Sequence, residues 1–334
     1  MTRQQFLFAS AAAAASPLLA MPRSEMGVAS TCYMTAWRPR DTYEFLEHCQ
    51  ALGAAGIQAF LSSTDAEYVK KLRARAERAG MYLEFMIAMP KQDTSAFEAT
   101  VKAAKEAGGL CVRANCMPGR RYENIATLDE WRKLNVEARQ AIDRALPIVE
   151  KHGIPLALEN HKDWTASEMA ALMKEKSSEH LGVCLDTGNN ISLLDDPMDV
   201  VEKLAPYAVC SHVKDMGVAR YKDGFLLSEM PLGGGFLDMK QVVSTIRRAR
   251  PKTRITLEMI TRNPLEVPCL TDKYWISFPD RNGRYLARTL RMVDANARKE
   301  PLPTLDALDR TAQMRLEEDN VKQCLYYARE QLSA

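Results

Sequence analysis

From residue 28 onward, short apolar runs alternate with longer segments whose apolar positions recur every three or four residues. That alternation predicts strands and amphipathic helices in regular succession. The predicted strands are 28–37, 57–61, 81–89, 110–116, 154–161, 181–189, 208–216 and 254–260. Between them, helical periodicity covers 41–56, 65–80, 93–109, 127–153, 165–178 and 237–250. Asp41, Asp65, Asp93 and Thr165 stand where N-caps belong, and Gly56, Gly80, Gly109 and Gly153 stand where helices stop. Eight strands, each followed by helical sequence, predict an α/β fold of the (β/α)8 barrel type. A doubly wound sheet fits less well, because Trp37-Arg38-Pro39-Arg40 occupies the place of a glycine fingerprint after the first strand. A helix at about 281–300 would complete the barrel. Beyond Pro301-Leu302-Pro303, a C-terminal helical extension from Leu305 is expected to pack on the barrel exterior or on a neighbouring subunit.

The ends of the chain divide it further. Residues 1–26 begin Met1-Thr2-Arg3-Gln4-Gln5 and continue into an alanine-rich apolar run, 6–20. That run is short for a membrane span and suits the apolar region of an export signal. It resembles a twin-arginine leader in which Gln4 replaces the second arginine. The expected organisation is therefore a signal peptide over 1–26, a catalytic barrel over 27–300 and a helical tail over 301–334. A periplasmic location follows, or a cytoplasmic one if the signal does not function.

Composition narrows the partners. A net charge of +2 gives no footprint for nucleic acid or an anionic membrane, so a small molecule is the expected ligand, with no lasting membrane insertion. Oligomeric state is not legible, and a homo-oligomer stays open. The eight cysteines show no CxxC or zinc-finger spacing and read as buried small apolar residues, with disulfides left open.

The candidate chemistry lies at the strand ends. The fifth predicted strand ends at Glu159-Asn160-His161, the sixth at Asp186, the seventh at His212-Val213-Lys214-Asp215 and the eighth at Glu258. The spacings are 27, 26 and 46 residues, the last lengthened by a loop expected over 222–235. Strand alternation sharpens the pattern. If Glu159, Asp186, His212 and Glu258 face the barrel interior, so do Ala157, Cys184, Cys210 and Thr256, all small. Leu158, Leu185, Val213 and Leu257, all apolar, then face the helices. By the same alternation His161 and Lys214 face inward, one layer higher. Three carboxylates and an imidazole at a barrel mouth suit one divalent ion, Mn²⁺ first, with Mg²⁺, Co²⁺ or Zn²⁺ as alternatives. Substrate contacts are expected from Trp37, Arg113 and Asn115.

Leu158-Glu159-Asn160-His161, Leu185-Asp186-Thr187-Gly188-Asn189, His212-Val213-Lys214-Asp215, 231–238 (PLGGGFLD) and Thr256-Leu257-Glu258 resemble the xylose isomerase-like TIM barrels, the sugar isomerase/epimerase superfamily. The resemblance covers roughly residues 28–300. It implies a divalent metal held by Glu159, Asp186, His212 and Glu258, and proton abstraction beside a carbonyl. Glu159 and Glu258 would act on opposite faces of the sugar in an epimerase, and His161 would be the base in a lyase-like member. Lys214 would steady an oxyanion, or be tied in a salt bridge. Two positions depart from the family pattern: Asn189 replaces a common histidine, and Gly233-Gly234-Gly235 lacks the usual central glutamate. Asn189 is then expected among the substrate contacts.

The implied function is metal-dependent isomerisation or epimerisation of a free sugar or keto-sugar. The alternatives are a lyase or dehydratase acting on a 3-keto-glycoside or inosose, and a non-catalytic sugar-binding or partner subunit. A three-zinc endonuclease of the same fold needs many histidines; this chain has five and no basic surplus.

Overall fold

The computed structural model describes residues 23–332. The leader expected over 1–26 lies outside the described residues except for its last four positions. Of these, Ser24 and Met26 are buried, and Ser24 N–H donates to Gly53 O at 2.8 Å.

Among the described residues, eleven strands form two sheets. In chain order they are β1 (Gly27–Ala29), β2 (Gly56–Phe60), β3 (Tyr82–Met86), β4 (Gly109–Ala114), β5 (Leu156–Glu159), β6 (Leu181–Asp186), β7 (Ala208–His212), β8 (Asp215–Tyr221), β9 (Gly224–Met230), β10 (Thr256–Leu257) and β11 (Leu265–Val267). Eight of them run in the order β10-β1-β2-β3-β4-β5-β6-β7, all parallel. A parallel bridge between Val213 and Leu257, with Val213 N–H donating to Thr256 O at 2.8 Å, brings the last strand against the first. This is the (β/α)8 barrel. The expected alternation holds: Leu158, Leu185, Val213 and Leu257 belong to the main core shared with the helices, whereas Ala157, Cys184 and Cys210 join Cys111 in a separate buried cluster. All eight cysteines are free.

Several expected boundaries move. Asp41, Asp65 and Thr165 cap their helices, and Thr165 forms a reciprocal capping box with Glu168. Asp93 does not: Thr94 takes the N-cap position, while the Asp93 carboxylate accepts from Ser95 N–H one step away. Gly80 and Gly153 end helices in the left-handed conformation, as expected. Gly56 and Gly109 instead open β2 and β4, because the chain has already turned at Gly53 and Gly108, both at positive φ. The first strand stops at Ala29, not residue 37, since 30–33 coils into a 3-10 turn.

The insertion after the seventh barrel strand is a hairpin, not a loop. It starts at Asp215, where β8 and β9 pair antiparallel and β11 adds a third strand. Asp215 organises the return of the chain by accepting from Gly233, Gly235, Met216 and Leu237 N–H. A Cβ on Gly235 would collide with that carboxylate.

The final long helix, Arg310–Tyr327, begins later than expected and is anchored to the rim of the mouth by buried Glu317. Its carboxylate accepts from Thr35, Ala36 and Trp37 N–H at 2.7, 3.0 and 2.9 Å. No helix among the described residues is long and apolar enough to cross a membrane.

Candidate metal centre

Glu159 ends β5, Asp186 ends β6, His212 ends β7, and Glu258 follows β10 directly. Parallel pairing sets Asp186 beside His212 and Glu159 beside Cys184, two residues short of Asp186, so the side chains converge across the stagger of neighbouring strands. One ligand atom from each of the four lies within 4.8 Å of the others, and all four side chains are buried. Three carboxylates this close repel strongly unless a cation sits among them.

The side chains around the four fix their aim. Asp186 Oδ1 accepts from Gly188 and Asn189 N–H at 2.8 and 2.7 Å, which turns Oδ2 toward the centre. Asn160 explains its place next to Glu159. Its amide donates to Asp186 O at 2.8 Å and accepts from Asp186 N–H at 2.8 Å, extending the strand pairing by a side chain. His212 Nε2 meets Gln58 Oε1 at 2.5 Å. Its Nδ1 has no hydrogen-bond partner and faces Glu258 Oε1 at 3.3 Å, Glu159 Oε1 at 3.5 Å and Asp186 Oδ2 at 4.0 Å. A bare imidazole nitrogen converging with three carboxylates fits a divalent ion of the hard or borderline class.

Cations crowd the acids. Arg113, at the end of β4, pairs with Glu159. Lys214 Nζ lies 2.5 Å from Glu258 Oε2 and 2.9 Å from Asp186 Oδ2. Burial opposes charging Lys214, but Asp186, Glu258 and Glu229 outweigh it and hold its pKa above the ordinary lysine value. Burial likewise opposes ionisation of Glu258, and His212 and Lys214 overcome it, holding the carboxyl well below its usual range. Thr31 Oγ1 donates to Glu258 Oε1 at 3.0 Å.

The remaining expected residues fall as follows. His161 sits at the mouth with Nδ1 unpartnered; burial first, then Lys162 and Arg113, push its pKa well down. Asn189 bridges the site: Nδ2 donates to Glu159 Oε1 at 3.0 Å, and Oδ1 accepts from Lys162 and from Lys214. Asn115 lies just past β4 with a buried, unpartnered Oδ1. Trp37 is not brought to the ligand set. It packs on Tyr33 and His48, at centroid distances of 4.9 and 4.6 Å, and its N–H goes to Glu317. Gln58, Glu84, Thr31, Lys162, Glu229 and Arg262 complete the surroundings without having been singled out from the sequence. For Gln58 and Glu84 a signal existed: each is one polar residue inside an apolar strand, and Gln58 Nε2 donates to Glu84 Oε2 at 2.9 Å.

Residues 46–277 match the family model described as xylose isomerase-like TIM barrel. The chain belongs to that family. Among curated proteins, a 3-oxo-isoapionate decarboxylase from Pectobacterium atrosepticum is 35% identical over 113 residues, 33% of this chain and 41% of the relative. The chain thus spans well under half the length of the curated relatives it matches, 41% and 28%. A solved xylose isomerase-like TIM barrel protein from Mycobacterium smegmatis, in complex with magnesium, is similar over 80% of this chain and 98% of that one, with 15% identity and a TM-score of 0.55. The 3-keto-D-glucoside 4-epimerase of E. coli aligns over 82% and 100%, with 12% identity and a TM-score of 0.53. At these identities the structural likenesses establish the fold.

Proposed function

We propose that the protein is a divalent-metal-dependent enzyme that enolises a keto-sugar, with His161 as the proton carrier. The observation that carries this reading is the convergence of Glu159, Asp186, His212 and Glu258 on one point beside a histidine whose Nδ1 has no partner. Mg²⁺ or Mn²⁺ suits the donor set and would supply the Lewis acidity that makes a proton beside a carbonyl removable. The protein's own groups do the rest. His161 takes the proton at Nδ1. Lys214, held between Glu258 and Asp186, offers N–H bonds to an oxygen that gains charge.

Glu159 and Glu258 each carry a cationic partner, Arg113 and Lys214. Carboxylates compensated in this way are weak bases, which disfavours two-face epimerisation and favours one-base chemistry: isomerisation, or loss of a group from the carbon beside the enolate. A decarboxylation of the kind named for the relative would reach the same enolate by another route, losing CO₂ from the carbon beside the carbonyl without prior removal of a proton.

The test is exchange in D₂O with Mg²⁺- or Mn²⁺-loaded protein and a panel of free ketoses, inososes and 3-keto-glycosides, followed by NMR. Deuterium should enter at the carbon next to the carbonyl, about 100-fold or more slowly in His161→Ala. Exchange absent on every substrate would overturn the reading in favour of a binding or subunit role, and exchange unchanged by His161→Ala would take the proton-carrier role away from His161.

A further inference from the structure

Lys162 occupies an unusual position. Its φ is +76°, a left-handed conformation that side chains other than glycine adopt at a cost of about 1–3 kcal/mol. The turn is pinned from outside. Lys162 O accepts from Arg121 N–H at 3.0 Å, and the Arg121 guanidinium donates to Asp163 O at 3.2 Å and pairs with Glu168. That guanidinium also lies 3.6 Å from the Trp131 ring centroid and 4.2 Å from that of Phe278. The side chain runs inward, and Nζ donates to Asn189 Oδ1. Because Asn189 also bonds Glu159, the Lys162 nitrogen stands one amide group away from the ligand set.

Arg113, Arg121, Lys162 and Lys214 are buried cations. Three have carboxylate partners: Glu159 for Arg113, Glu168 for Arg121, and Glu258 with Asp186 for Lys214. Lys162 has no carboxylate within 4.0 Å among the described residues. An unmatched buried ammonium costs several kcal/mol, so a neutral side chain would fill the space better unless the charge is used. Burial, then Lys214 and Arg262, push its pKa down to about 7, as expected for an amine short of a counter-ion.

A divalent ion would deepen the shortage. Once three carboxylates are committed to it, the ligand set keeps one negative charge against Arg113, Lys162 and Lys214. Arg262 is already matched by Glu229. The loop around Lys162 adds one acid, Asp163, whose Oδ1 accepts from the Trp164 and His161 N–H groups and whose Oδ2 has no hydrogen-bond partner. The site still lacks an anion.

We propose that Lys162 recognises a carboxylate carried by the substrate, so that the site takes a keto-sugar acid in preference to the neutral sugar. This rests on the keto-sugar reading above and names its substrate class.

D-fructuronate and D-fructose differ at one carbon, carboxylate against hydroxymethyl, and make a matched pair. Calorimetric titration of the Mg²⁺-loaded protein should show the acid binding at least 10-fold more tightly. Lys162→Met, similar in length and uncharged, should erase that preference while changing the affinity for D-fructose less than about 3-fold. Equal binding of acid and sugar by the wild type overturns the proposal, and so does a preference that survives in Lys162→Met. Tighter binding of D-fructose 6-phosphate than of D-fructuronate overturns it as well. If Lys162→Met does not fold, the wild-type ratio decides alone. Equal binding with deuterium exchange intact defeats this proposal only; no binding and no exchange defeats the keto-sugar reading with it.

Discussion

His212 Nε2 stands 2.5 Å from Gln58 Oε1, deep in the barrel. The Gln58 amide nitrogen is spent on Glu84, so the atom facing His212 is the carbonyl oxygen and Nε2 must bring the hydrogen. Nδ1 is left as a lone pair aimed at Glu258 and Glu159. Removing the acceptor should release the ring. Gln58→Leu is expected to lower Mn²⁺ or Mg²⁺ affinity about 10- to 100-fold, read by calorimetry. An affinity within twofold of wild type would show that the glutamine does not orient the ligand.

Glu84 makes the barrel interior sensitive to pH. Burial pushes its carboxyl from 4.5 up to about 7, with hydrogen bonds from Gln58 and Thr256 pulling the other way. The folded state therefore holds this proton more tightly than the unfolded chain does. Its contribution to stability is present below about pH 4.5 and is lost as pH rises through about 7, an effect of at most about 3 kcal/mol. Glu84→Gln keeps an acceptor for Gln58 and Thr256 without the ionisation. It should exceed wild-type stability by about 1–3 kcal/mol at pH 8 and match it near pH 4 in urea unfolding. A gain of the same size at both pH values would rule out titration of Glu84 as its source.

Glu317 is bonded to three backbone N–H groups of the loop after β1. In Glu317→Ala those donors lose their acceptor in a buried setting, at an expected cost of about 2–4 kcal/mol in global unfolding. The same loop carries Thr31, which touches Glu258, so metal affinity should fall as well. Glu317→Gln, with one oxygen retained, should lie between. Wild-type stability in the alanine variant would show that Glu317 does not clamp the loop.

The four convergent groups are legible because each ends an apolar run and a barrel gathers the ends of its strands around one mouth. Local spacing revealed the helix caps at Asp41, Asp65 and Thr165 for the same reason: a cap is set by residues three apart. What the sequence hid depends on distant partners. Glu317 reads as one acid among several on a polar helix, and only the folded chain places it against residues 35–37. Gln58 and Glu84 were visible as polar residues in apolar strands, but nothing local ties them to His212, 154 residues from Gln58. Lys162 carries no signal of its own, because positive φ at a lysine leaves no mark in composition. The hairpin of β8 and β9 reads as a loop in the sequence because Asp215 lies in the same run as His212, and a strand that changes sheets carries no boundary signal.

The contact between Glu317 and the first loop spans 280–282 residues of chain. At about 5–20 residues per second, a ribosome that has released residues 35–37 needs from about 15 seconds to about a minute to deliver the acid they await. During that interval every barrel strand can emerge and pair, yet three amides at the lip stay without their acceptor. Synthesis that stops before residue 317 would leave a closed barrel with an unset rim. Completion of the mouth is thus a late event in the life of the nascent chain.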